Sequence, residues 1–157
     1  IQAEFFSAYL YLSMSAWCED NNFEGFAHWM RMQAQEEMFH AMKIYDYVNM
    51  TGGRVILQAT PQPEIEWDGA LAVFEDSLAH EQHMTENINK LVGLCIQEND
   101  YATHAMLQWF ITEQVEEEAT VDAIVGKLKL MGSEGQGLFM LDRELGVRAA
   151  PTPPAAE

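Results

Sequence analysis

Glu37 and His40 stand at i and i+3, so on a helix their side chains share one face. Three further carboxylates, Glu4, Glu81 and Glu117, each interrupt a stretch whose apolar residues recur at steps of three and four. Around Glu4 the stripe is Ile1, Ala8, Tyr11 and Ser15; around Glu37 and His40 it is Phe26, Met30, Gln33, Ile44 and Val48. Glu81 sits among Phe74, Leu78, Thr85, Ile88, Val92 and Cys95, and Glu117 among Met106, Phe110, Glu113, Gln114, Val121, Ile124 and Leu128. Leaving such carboxylates ionised in a core costs on the order of several kcal/mol each unless positive charge meets them. No Lys or Arg occupies these stripes, so metal ions are the natural counter-charge. Oxygen-rich ligation with a single imidazole and no thiolate suits iron or manganese.

The elements that must position these residues are helices. Helical periodicity runs over about 1–19, 23–50, 67–98 and 101–131, and strand signals are nearly absent. Asp20-Asn21-Asn22 and Asn99-Asp100 punctuate the first and third joins, which predicts two antiparallel pairs, and Thr51-Gly52-Gly53 closes the second segment. The connector Thr51 to Glu66, with Pro61 and Pro63, is long for a helical bundle. Its 16 residues can span roughly 53 Å when extended, against roughly 42 Å for the second helix, so it can run the full length of a bundle. The second and third helices would then start at the same end. Glu4 and Glu37 lie 17 and 16 residues from Asn21, and Glu81 and Glu117 each lie 18 from Asn99. Antiparallel partners equidistant from their turn share one level, so four carboxylates and one imidazole are expected to converge mid-bundle. Helices that each offer a Glu, with Glu-x-x-His at i and i+3, form the di-iron carboxylate pattern of bundles.

With 25 acidic against 8 basic residues, a formal charge of −17 argues against a nucleic-acid partner and for cations. Cys18 and Cys95 lie 77 residues apart without a CxxC, which suits two core thiols in a reducing compartment, and the cytoplasm is the expected address. No apolar run is long enough to span a membrane. The chain opens at Ile1 already in helical periodicity, without a cap or an initiator Met, so the first turns of its first helix are expected to precede it. A short fifth helix is expected over about Gln136 to Leu145. Residues 1–148 then form one domain and 149–157 a disordered, proline-bearing tail.

The runs AEFFSAYLYLSMSAW, HWMRMQAQEEMFHAMKIYDYV, HEQHMTENI, LQWFITEQVEEEA and SEGQGLFMLDREL resemble prokaryotic non-haem ferritins over nearly the whole chain. The resemblance implies an all-α, ferritin-like four-helix bundle with a long crossover and a short fifth helix. It also implies ferroxidase activity, iron storage and a homo-oligomeric shell of 24 subunits holding ferric oxyhydroxide, with Fe(II) and O2 or H2O2 as reactants. Carried over by position, Glu4, Glu37 and His40 resemble the first iron site, with Glu37 bridging to a second completed by Glu81 and Glu117. Gln114 matches a polar neighbour of that pair, and Tyr11 and Trp109 match nearby aromatics. Glu36, Glu113 and Glu116 match a third, outlying iron site.

Other readings of the same residues compete. A single buried Glu in a bundle is more often structural than a ligand, and it is the convergence of five groups that reverses this. Glu116, Glu117 and Glu118 taken alone read as a solvated charge run, and Tyr11 and Trp109 as core aromatics. His28, His80, His83 and His104 read as surface or satisfied histidines. Met38, directly after Glu37, resembles the haem-ligating Met of bacterioferritins. Haem is nevertheless disfavoured, because those proteins carry a second Glu-x-x-His where this chain has Glu117 followed by Thr120. A non-storage di-iron oxidase or peroxide-reducing protein remains a competing function. A purely structural bundle would instead place apolar residues at Glu4, Glu37, Glu81 and Glu117.

Overall fold

The computed structural model describes residues 1–132 and 135–153. Helices α1 (Gln2–Asp20), α2 (Glu24–Met50), α3 (Ala70–Glu98), α4 (Tyr101–Met131) and α5 (Gly135–Leu145) follow in order, with no strand among the described residues. Of the predicted tail, residues 149–153 carry no helix or strand, and 154–157 lie outside the described residues. The described residues divide into two compact units, one made of 1–67 with 135–153, the other of 68–132.

In the first unit α1 and α2 form a hairpin. Asn22 takes a left-handed φ of 61°, which Asn tolerates better than other side chains with a Cβ, and the Phe23 amide donates back to the Cys18 carbonyl at 2.9 Å. Across the pair, Ser15 Oγ donates to the Ala27 carbonyl at 2.8 Å. Burial pushes the Cys18 thiol up to about 12, with Asp142 and Glu19 adding to the effect, so it is an inert core group.

The connector lies along α1. Gln2 Nε2 donates to the Ala59 carbonyl at 2.8 Å, Ser13 Oγ to the Glu64 carbonyl at 2.6 Å, and Trp67 meets Trp17 edge-on at 6.2 Å. Rising numbers in the connector pair with rising numbers in α1, so the chain returns to the turn end of the hairpin, as its length allows. Helix α3 begins at Ala70 and not near residue 67 as periodicity predicts. Gly69 holds φ at +134°, which breaks the helix, and Trp67 is held on α1.

Helix α5 closes the first unit. Its Asp142 carboxylate accepts from the Phe26 amide at 2.9 Å, satisfying one of the orphan donors at the start of α2, where Phe23 gives no side-chain cap. Gly25 permits this approach, because a Cβ there would lie 1.7 Å from the Asp142 carbonyl oxygen. Gly25→Ala is therefore expected to displace α5 and cost about 2–4 kcal/mol, read as a lower denaturation midpoint and faster proteolysis of the C-terminal segment. Wild-type values on both measurements would show that the contact yields without cost.

In the second unit α3 and α4 form the other hairpin. Asn99 caps α3 in the left-handed region at φ 57°. Asp100 then caps α4, accepting from the Thr103 amide at 3.0 Å and the Thr103 hydroxyl at 2.5 Å. The second turn thus uses an Asn as α3's cap and an Asp as α4's in two consecutive positions.

Candidate metal centre

Helix α2 presents Glu37 and His40 on one buried face, and α1 brings Glu4 against them. His40 Nδ1 lies 3.6 Å from Glu37 Oε2 and 3.9 Å from Glu4 Oε2, and one donor atom from each residue falls within 4.8 Å of the others. These separations are too long for good hydrogen bonds. They approach the spacing of donors around a shared cation, since two ligands each ~2.1 Å from a metal stand roughly 3–3.5 Å apart.

Burial raises the Glu4 carboxyl above the ordinary carboxylate range, with His40 and a hydrogen bond to Glu37 pulling the other way. A carboxyl raised in this way takes up a proton more readily than a free carboxylate does. Metal and proton compete for the same oxygens.

Gln33, one helical turn before Glu37 and fully buried, donates Nε2 to Glu37 Oε1 at 3.3 Å. Its Oε1 accepts from Arg148 Nη1 at 2.6 Å, and Arg148 Nη2 donates to Glu36 Oε2 at 2.5 Å. The guanidinium also lies over the Trp29 ring, 4.6 Å from its centroid, and Tyr11, fully buried, meets Trp29 edge-on at 6.5 Å. Sequence reading kept Gln33 as a stripe residue and gave Arg148 no role. A polar side chain at i−4 from a buried ligand was the available signal for Gln33; nothing local marks Arg148, 115 residues away.

In the second unit Glu81, Gln114 and Glu117 are all buried. Gln114 Nε2 lies 3.2 Å from the Glu81 carbonyl, 3.3 Å from Glu81 Oε2 and 3.3 Å from Thr85 Oγ1. Thr85 in turn donates to Glu118, which is half-buried and not the fully solvated residue expected of a charge run. Glu113 is half-buried and Glu116 exposed; Trp109 is half-buried and packs edge-on to Phe110 at 4.8 Å.

Met38 is 42% exposed beside the buried Glu37, and Thr120, three residues after the buried Glu117, is exposed. His28 Nε2 donates to the Arg148 carbonyl at 2.9 Å. Burial, with His83 nearby, pushes His80 down to about 4 against an opposing pull from Asp76, leaving it neutral at pH 7. No described helix is long and apolar enough to cross a membrane.

A family model described as a ferritin-like domain matches residues 1–131. The chain belongs to the ferritin-like family. This ferritin-like chain is 42% identical over 146 residues to a bacterial non-heme ferritin of Staphylococcus saprophyticus, covering 93% of this chain and 87% of that one. A bacterial non-heme ferritin of Staphylococcus aureus is 39% identical over 145 residues, with 92% and 87% covered. Among solved structures, an open-pore ferritin of the hyperthermophilic archaeon Archaeoglobus fulgidus superposes with a TM-score of 0.94 at 49% identity, covering 94% of this chain and 91% of that one. An engineered closed form of the ferritin from that organism gives 0.95 at 48%, with 96% and 92% covered. At such coverage the likeness runs past residue 131 into α5, and the fold is an all-α ferritin-like bundle with a short C-terminal helix.

Proposed function

We propose that this ferritin stores iron, oxidising Fe(II) at a di-iron centre and depositing ferric oxyhydroxide inside a homo-oligomeric cage of 24 subunits. The observation that carries the reading is the buried Glu4, Glu37 and His40 group, three metal-binding side chains gathered in a core. The reading joins them to Glu81 and Glu117 of the second hairpin; its support is the burial of both carboxylates and the matched distances of all four from their turns. Glu4, Glu37 and His40 hold the first iron, Glu37 bridges, and Glu81 and Glu117 hold the second. Gln114 keeps Glu81 oriented, while Tyr11 lies within the aromatic packing beside the first site. Glu36, Glu113 and Glu116 form an outlying third position. The cytoplasm is the proposed compartment.

Iron is substrate and cargo here. Each of two Fe(II) gives up one electron; O2 takes both with two protons and leaves as H2O2, or H2O2 takes both with two protons and leaves as two waters. Carboxylates are hard donors that favour the ferric product, and hydrolysis of that product returns protons as the mineral forms. A proton held on Glu4 is displaced when metal enters.

The test is the size-exclusion mass of purified protein combined with iron uptake in air. A 24-subunit particle retaining well over ten Fe(III) per subunit is expected. A particle that stops at two irons per subunit, which cycle in place, would identify a non-storage di-iron oxidase instead.

A further inference from the structure

We propose that Arg148 is a positioning residue acting in opposite senses on two adjacent carboxylates: it orders Glu37 for metal through Gln33 and withholds Glu36 from metal by direct ion pairing. The proposal rests on the di-iron reading above. Its geometry lies wholly within the first unit.

The guanidinium fork is divided. Nη1 donates to Gln33 Oε1 at 2.6 Å and Nη2 to Glu36 Oε2 at 2.5 Å. An amide can face either way, and the two ends differ in chemistry. With its oxygen taken by Arg148, Gln33 must point its NH2 at Glu37 Oε1, where it sits at 3.3 Å. Turned over, it would set oxygen against carboxylate and leave two buried donors facing a guanidinium. Because Gln33 is fully buried, water cannot relieve that arrangement. The amide thus fixes one oxygen of Glu37 while the other faces His40.

Glu36 experiences the reverse. The permanent positive charge of Arg148 neutralises it, and a divalent ion seeking the same oxygen must displace a guanidinium held by other contacts. Those contacts are Gln33 Oε1 at 2.6 Å and the Trp29 face at 4.6 Å, while the His28 ring on the Arg148 carbonyl at 2.9 Å anchors the residue's backbone. Glu36 is therefore a ligand kept in reserve, open to metal at the cost of the ion pair.

Metal-free protein titrated with Co(II), whose visible bands report ligation without turnover, tests this. The wild type should show a tight class and a weaker class. In Arg148→Gln the tight class should loosen about tenfold, the scale of losing an outer support of a ligand. The weaker class should tighten about two- to fivefold, the scale of a partly exposed ion pair. Arg148→Lys keeps a charge near Glu36 but loses the fork, so only the tight class should move. Gln33→Leu should likewise loosen the tight class alone. General loosening of the protein would weaken both classes together, so Arg148→Gln that weakens both, or changes neither, overturns the proposal. Failure of the underlying di-iron reading shows elsewhere, as a wild type lacking a tight class or a tight class unmoved by Glu37→Gln.

Discussion

Glu37→Ala is expected to slow aerobic Fe(II) oxidation by at least about a hundredfold, because both irons of the proposed centre lose a shared ligand. Glu37 lies 3.6 Å from His40, is gathered with Glu4 in the same buried cluster and receives the Gln33 amide. Removing Glu4 or His40 would strip one site; removing Glu37 disturbs two. Stopped-flow absorbance of the broad ferric band measures the rate, with Glu24→Ala, an exposed change in the first turn of the same helix, as the reference. The variant should still fold, since it loses a buried carboxyl and not an apolar anchor. Oxidation at the wild-type rate would remove Glu37 from the reaction and with it the assigned centre.

The second large effect is on stability and has the opposite sign from most core substitutions. Glu81→Gln and Glu117→Gln should each stabilise the metal-free subunit by about 1–3 kcal/mol while slowing oxidation. Both side chains are at least 95% buried, and an amide keeps their shape without a charge to desolvate. In Glu81→Gln the new amide would still offer an oxygen to Gln114, which now donates to Glu81 at 3.3 Å. At this chain length 1 kcal/mol corresponds to about 2–4 °C in melting temperature, so thermal melts after chelation resolve the effect. Added metal should reverse the order, stabilising the wild type more than either variant. A clear loss of metal-free stability in both would mean that these carboxylates serve packing or structural hydrogen bonds.

What the sequence disclosed followed from how far each interaction reaches along it. Helix limits, both short turns and the strap-like connector were legible because Asn22, Asn99, Asp100 and the apolar spacing act locally. Glu4, Glu37 and His40 were legible because a charge on an apolar stripe is conspicuous and distance from a turn fixes depth. The start of α3 was misplaced by three residues, since periodicity continues through Trp67 while Gly69 breaks the backbone. The support of Glu37 was invisible: Arg148 reaches Gln33 across 115 residues, and a lone Arg beyond the last helix carries no local pattern. Glu118 was read as solvated because nothing in a run of three glutamates reveals that Thr85 faces it.

The order in which the polypeptide is made gives the placement of α5 a temporal meaning. Helices α1 and α2 leave the ribosome before the other helices and contain Glu4, Glu37 and His40, yet α5 and Arg148 complete that same unit only after the whole α3–α4 hairpin has been synthesised. A nascent chain therefore carries these three side chains for a time without Asp142 on the start of α2 and without a guanidinium on Gln33 and Glu36. The network that supports Glu37 is therefore complete only after both hairpins have been made, so the unit that begins to form first is closed by a segment made after its neighbour.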